Sequence, residues 1–111
     1  MGKIDLNKLT YEEIEERYIK YKIPGYYKFK NAEQVKNVFG WDFRTIRGFK
    51  DLSDEDKKLA EHLICNYLNG FGIGGRHKQR PTGIKKEGTR QRFKVGFKDG
   101  YSYLYFCGSI G

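Results

Sequence analysis

Cysteine is scarce in this sequence. Cys65 and Cys107 are the only two, too few for the disulfide framework on which small secreted domains depend, so both are expected as buried thiols in a reducing cytoplasm. Long apolar runs are missing too. No segment approaches the roughly 18 consecutive apolar residues of a membrane span, and Met1-Gly2-Lys3-Ile4-Asp5 lacks the hydrophobic run of a secretory leader. No membrane partner is therefore expected. Hydrophobic residues make up only 38% of the 111 residues, but the 16% aromatic content (nine Tyr, eight Phe, one Trp) is far above that of a disordered chain. These bounds predict one folded domain over residues 1–111 with a single modest core.

Acidic residues are depleted in one part of the chain. Residues 1–69 hold 13 Lys and Arg against 12 Asp and Glu, a net +1, whereas residues 70–111 hold 9 against 2, a net +7. The basicity belongs to the C-terminal third. Charge concentrated in this way raises the local potential and favours polyanions: nucleic acid, an anionic membrane or an acidic protein face.

Caps and periodicity place the elements. Thr10-x-x-Glu13 has capping-box spacing, and Glu12 and Glu13 set negative charge at the positive end of a helix running from Tyr11 to Lys22, which Pro24-Gly25 stops. Tyr11, Ile14, Tyr18 and Tyr21 form its apolar face, with Glu13/Arg17 and Glu16/Lys20 as i,i+4 pairs. Residues 26–30 alternate weakly, as a short strand does. Asn31 caps a helix over 32–39 that ends at Gly40, and a short helix is expected from Phe43 to Arg47. The strongest helix starts at Ser53, carries Asp54, Glu55 and Asp56 in its first turn, and shows an apolar stripe of Leu59, Ala60, Leu63, Ile64, Tyr67 and Leu68. Residues 70–89 then hold six glycines, one proline and five Lys or Arg, which reads as a mobile basic loop within the domain.

The segments from Arg90 to Lys98 and from Tyr101 to Cys107 flank Asp99-Gly100, the dipeptide best suited to a two-residue type I′ hairpin. That turn sets Lys98 opposite Tyr101, Val95 opposite Leu104 and Phe93 opposite Phe106. Alternation then gives a core face of Phe93, Val95, Phe97, Ser102, Leu104 and Phe106. The other face carries Arg92, Lys94, Lys98, Tyr101, Tyr103 and Tyr105. Cations interleaved with flat rings suit nucleic acid, because Lys and Arg neutralise phosphates while Tyr stacks on unpaired bases at about 1–3 kcal/mol each.

Residues 82–108, TGIKKEGTRQRFKVGFKDGYSYLYFCG, resemble the three-stranded sheet of AP2-type and integrase-arm DNA-binding domains: a Gly-Ile start, a basic central strand, a Gly turn and an aromatic last strand closing on Gly. That resemblance implies a sheet lying in the major groove, with Arg90, Arg92, Lys94 and Tyr103 at contact positions. Residues 32–49, AEQVKNVFGWDFRTIRGF, resemble a helix-turn-helix with Gly40 at the turn and Val35, Phe39, Trp41, Ile46 and Phe49 at its apolar positions. This second resemblance implies that Arg44 and Arg47 point toward DNA, and with the hairpin behind them it implies a winged helix as the alternative fold.

Other chemistries lack their signatures. The stretch GFGIGGRHKQR at residues 70–80 fits G-x-G-x-x-G but follows a helix instead of preceding one, and the glycine spacing at residues 83–88 continues without the P-loop lysine. His62, Cys65, His77 and Cys107 lack the paired spacing of small zinc domains. The carboxylates sit at helix starts and in i,i+4 pairs, not in a metal-holding cluster, so no catalytic residue, metal or cofactor is expected.

The expectation is an α+β domain in which three to four N-terminal helices pack on a C-terminal β-hairpin or three-stranded sheet. It is expected to bind DNA or RNA, without catalysis, through Arg76, Lys78, Arg80, Lys85, Lys86, Arg90, Arg92, Lys94, Lys98, Tyr101, Tyr103 and Tyr105, with Arg44 and Arg47 as secondary candidates. The alternative is a protein-interaction module, or a small inhibitor of phage or mobile-element type, that engages an acidic protein surface or a nucleic-acid-processing enzyme.

Overall fold

The computed structural model describes residues 10–23, 27–72 and 75–110, and the chain is α+β. Helix α1 (Tyr11–Lys20) starts at its cap, where the Thr10 hydroxyl accepts the Glu13 backbone N–H at 3.2 Å. It ends two residues early, since Lys22 takes a left-handed φ of 53°; the expected stop, Pro24-Gly25, lies outside the described residues, as does Tyr26. Ile14 and Tyr18 are buried. Arg17 donates to the carbonyl oxygens of Asn37 and Val38, in the last turn of α2 (Ala32–Phe39), where the helix dipole favours a cation. Asn31 caps α2 by accepting the Gln34 N–H at 2.9 Å, and left-handed Gly40 closes it.

Residues 27–30 form no strand. Phe29 is tied instead to the Asn69 side chain, whose carbonyl accepts the Phe29 N–H while its amide donates to the Phe29 carbonyl, both at 2.8 Å. One side-chain amide thereby satisfies both backbone groups of Phe29.

The expected helix from Phe43 to Arg47 does not form, and with it the helix-turn-helix is corrected. The chain makes two 3-10 turns, Phe43–Thr45 and Phe49–Asp51, that bury Phe43, Ile46 and Phe49. A long-range contact competes: the Arg47 N–H donates to the Thr82 carbonyl at 3.3 Å, and the Arg47 carbonyl accepts the Ile84 N–H at 2.8 Å. Gly48 (φ 90°) permits this approach, because a Cβ there would lie 2.3 Å from the Ile84 carbonyl oxygen. The winged-helix alternative loses its recognition helix.

Helix α3 (Asp54–Asn69) is capped by Ser53, which accepts the Asp56 N–H at 3.1 Å. It buries Ala60, Leu63, Ile64, Cys65 and Leu68. Burial pushes the Cys65 thiol up to about 12. Beside α3 the rings of Tyr18, Phe29 and Phe39 pack with centroids 5.3–6.2 Å apart.

Strands β1 (Gly83–Glu87), β2 (Arg92–Phe97) and β3 (Gly100–Tyr105) form an antiparallel sheet in that order. β1 occupies part of the segment 70–89 that reads as a loop in the sequence. The hairpin turn falls one residue earlier than expected: Phe97 faces Gly100, and neither Lys98 nor Asp99 has the positive φ of a type I′ turn. Every partner shifts by two residues, so Phe93 meets Leu104 and Val95 meets Ser102. Two is the side-chain period of a strand, and both faces therefore keep their expected residues except Lys98, which moves from the solvent face into the turn. Ile84, Phe93, Val95 and Leu104 join the core with the helices, leaving the opposite face to solvent.

Candidate functional site

The solvent face of the sheet is built from three cross-strand rows. Glu87, Arg92 and Tyr105 form the first, Lys85, Lys94 and Tyr103 the second, and Gly83, Gly96 and Tyr101 the third. The three tyrosines line the edge strand, and the cations stand on its neighbours. Arg92 is the most constrained of these cations: its Nε donates to Glu87 at 2.6 Å, its Nη1 to the Tyr105 hydroxyl at 3.1 Å, and its plane lies 3.7 Å from the Tyr103 ring centroid. The Glu87 bond lifts the Arg92 guanidinium above its ordinary value and lowers the Glu87 carboxyl. Lys94 places its ammonium 4.2 Å from the Tyr101 ring centroid, and the Tyr101 and Tyr103 rings meet edge to face at 5.3 Å. The neighbouring Tyr101 hydroxyl is the main cause that raises Tyr103 above the ordinary tyrosine value.

The strand twist explains these contacts. Each cation reaches the ring one row farther along, Arg92 to Tyr103 and Lys94 to Tyr101, forming a staggered ladder of cation–π pairs. The β1–β2 connection, a 3-10 turn at Gly88–Arg90, gathers Lys85, Lys86, Arg90 and Arg92 around a shallow hollow at one end of the ladder.

Two expected contact residues are drawn elsewhere. Arg76 is buried at 4% exposure, with Nε donating to the Phe71 carbonyl at 2.8 Å, Nη1 to the Tyr27 carbonyl and Nη2 to the Asn69 carbonyl at 3.5 Å. It holds the 3-10 turn Arg76–Lys78 onto the core, so no phosphate reaches it. Lys86 shares the core-side register of Ile84, and its ammonium pairs with Asp56 in the first turn of α3 at 2.8 Å. That pairing draws the Asp56 carboxyl below its usual range.

Lys78, Arg80, Lys85, Arg90 and Lys98 are exposed, Lys98 in the hairpin turn and not on the sheet face. Arg44 pairs with Asp42 at 2.8 Å, and Asp42 also takes Lys36 at 3.5 Å, which holds its carboxyl far below the usual range. Arg47 is exposed, but its backbone is committed to β1. Ile73 and Gly74 of the glycine run lie outside the described residues. Sequence reasoning missed Glu87, which neutralises Arg92, and the facing pair Gly83 and Gly96; Glu87 was visible as one of only two acidic residues in the C-terminal third.

No known family model, characterised protein or solved structure matches this chain. Among the described residues no three His, Cys, Asp or Glu side chains come together to hold a metal, and no helix is long and apolar enough to cross a membrane. Cys65 is buried as expected, but Cys107 lies in the turn after β3 and is exposed, which corrects the expectation that both thiols are buried.

Proposed function

We propose that this protein binds nucleic acid through the solvent face of its sheet and acts as a binding protein, not an enzyme. The observation that carries the reading is the ladder itself: three tyrosines on β3 beside Lys85, Arg92 and Lys94, with Lys78, Arg80, Arg90 and Lys98 exposed in the turns of the same C-terminal third. Phosphates meet the lysines and the unpaired arginines, while the rings offer stacking surface that tolerates any base. Arg76, Lys86 and Arg92 are spoken for by other partners and contribute to the fold instead of to phosphate contact.

The test is a titration of labelled DNA and RNA oligonucleotides at increasing salt. Each single-strand phosphate neutralised contributes about −0.7 to the slope of log K against log salt. Measurable affinity at low salt with a clear negative slope is the expected result; no binding at low salt refutes the reading. The competing partner is an acidic protein, bound as a small inhibitor of a nucleic-acid-processing enzyme binds its target. Tyr and Arg also anchor protein interfaces, and one stoichiometric partner surviving nuclease treatment in a pull-down selects that reading.

A further inference from the structure

The third row of the face lacks side chains on two of its three strands: Gly83, Gly96, then Tyr101. The backbone requires neither glycine. Neither has positive φ, and an added Cβ would meet nothing nearer than the Thr82 hydroxyl oxygen at 3.5 Å from Gly96, or the Arg47 carbonyl oxygen at 3.7 Å from Gly83. Glycine weakens a strand interior and often marks a bend or a place where a ligand or another backbone approaches closely; the Arg47 backbone already runs beside Gly83 at the start of β1, which leaves Gly96 as the interior glycine open to a ligand. This bare floor is bordered by Tyr101, exposed at 57%, with the Lys94 ammonium over one face of its ring at 4.2 Å from the centroid.

Arg92 points the same way. Reading a duplex in the major groove relies above all on an arginine fork presented to guanine. The Arg92 fork is already divided between Glu87 and Tyr105, with its plane against Tyr103. What the face leaves open is a ring and a flat floor.

Resting on the nucleic-acid reading above, we propose that the Gly83–Gly96–Tyr101 row is a base-stacking subsite, so that this surface takes single strands in preference to duplex. An unpaired base packs on the Tyr101 ring over the glycine floor, while Lys94 and Lys85 meet the flanking phosphates. A duplex keeps its bases stacked on one another and offers no free face to Tyr101.

Fluorescence anisotropy with a labelled single strand of about 12 nucleotides, and with the duplex of the same sequence, tests this. The wild type should bind the single strand about tenfold or more tightly than the duplex. Gly96→Val, which fills the floor with a strand-favouring side chain, and Tyr101→Ala should each lose about tenfold on the single strand and leave duplex affinity unchanged, while Tyr101→Phe retains binding. Single-strand affinity unaltered in Gly96→Val and Tyr101→Ala, or a wild-type preference for duplex, overturns the subsite while leaving the nucleic-acid reading standing. Absence of binding to either oligonucleotide at low salt overturns both. Should Gly96→Val melt well below the wild type, the comparison of Tyr101→Ala with Tyr101→Phe decides, since that ring is on the surface.

Discussion

Arg76 shows how one residue holds a segment in place. Its guanidinium has no carboxylate partner among the described residues; it is held by three backbone carbonyls, including that of Asn69 at the C-terminal end of α3, where the helix dipole favours a cation. The rings of Tyr18 and Phe29 flank it at 5.8 Å. Replacing Arg76 with Ala leaves those carbonyls without their donor and opens a cavity, and should lower stability by about 3 kcal/mol in urea titration. Tyr18 makes a second prediction. Its buried hydroxyl has no hydrogen-bond partner among the described residues, and burial outweighs the nearby Arg76 in pushing it up to about 12. A raised folded pKa means that the native state holds its proton longer, so stability is intact below the unfolded values and falls as pH climbs. Cys65 adds to the loss from about pH 9 and Tyr18 from about pH 10, both saturating near pH 12. Tyr18→Phe should flatten the alkaline decline between about pH 10 and 12 and, by removing an unpaired buried hydroxyl, raise neutral-pH stability by about 1 kcal/mol. Denaturant melts at neutral and alkaline pH check both effects.

Among the elements, those with local causes were legible. Thr10, Asn31 and Ser53 cap the helices that their sequences announce, and the period of two assigned the strand residues to their faces, although the turn lies one residue earlier than expected and takes Lys98 off the solvent face. The segment around Arg47 was not legible. Its pattern suits a helix, but its backbone pairs with a strand whose position depends on residues far along the chain. Gly48 is the residue on which that pairing turns. Gly48→Ala sets a Cβ against the Ile84 carbonyl at an already strained φ, and should cost about 3 kcal/mol or more. Gly40→Ala, where a Cβ meets nothing within 4 Å, should cost only the left-handed strain of about 1 kcal/mol. A thermal-melt comparison of the two variants separates steric contact from backbone strain.

At the scale of the whole molecule, the +7 of residues 70–111 was visible in the sequence, but the use made of each charge was not. Burial took Arg76, a helix start took Lys86 and Glu87 took Arg92, because pairing depends on neighbours that only the fold supplies. The tyrosine ladder survived as expected, since strand parity alone decides it. The glycine floor beside it gave no signal until the register set Gly83 against Gly96.

The proposal assigns nucleic-acid binding to this face and not to basicity in general. Removing two charges from the face and two from elsewhere tests it most directly: Lys85→Ala/Lys94→Ala against Lys50→Ala/Lys58→Ala, both titrated with the same labelled single strand at low salt. The two variants carry the same net charge. The first pair should lose about tenfold or more in affinity, with a salt slope shallower by about 1.4, and the second should bind as the wild type does. Equal losses in the two variants, or no binding by the wild type, would contradict it.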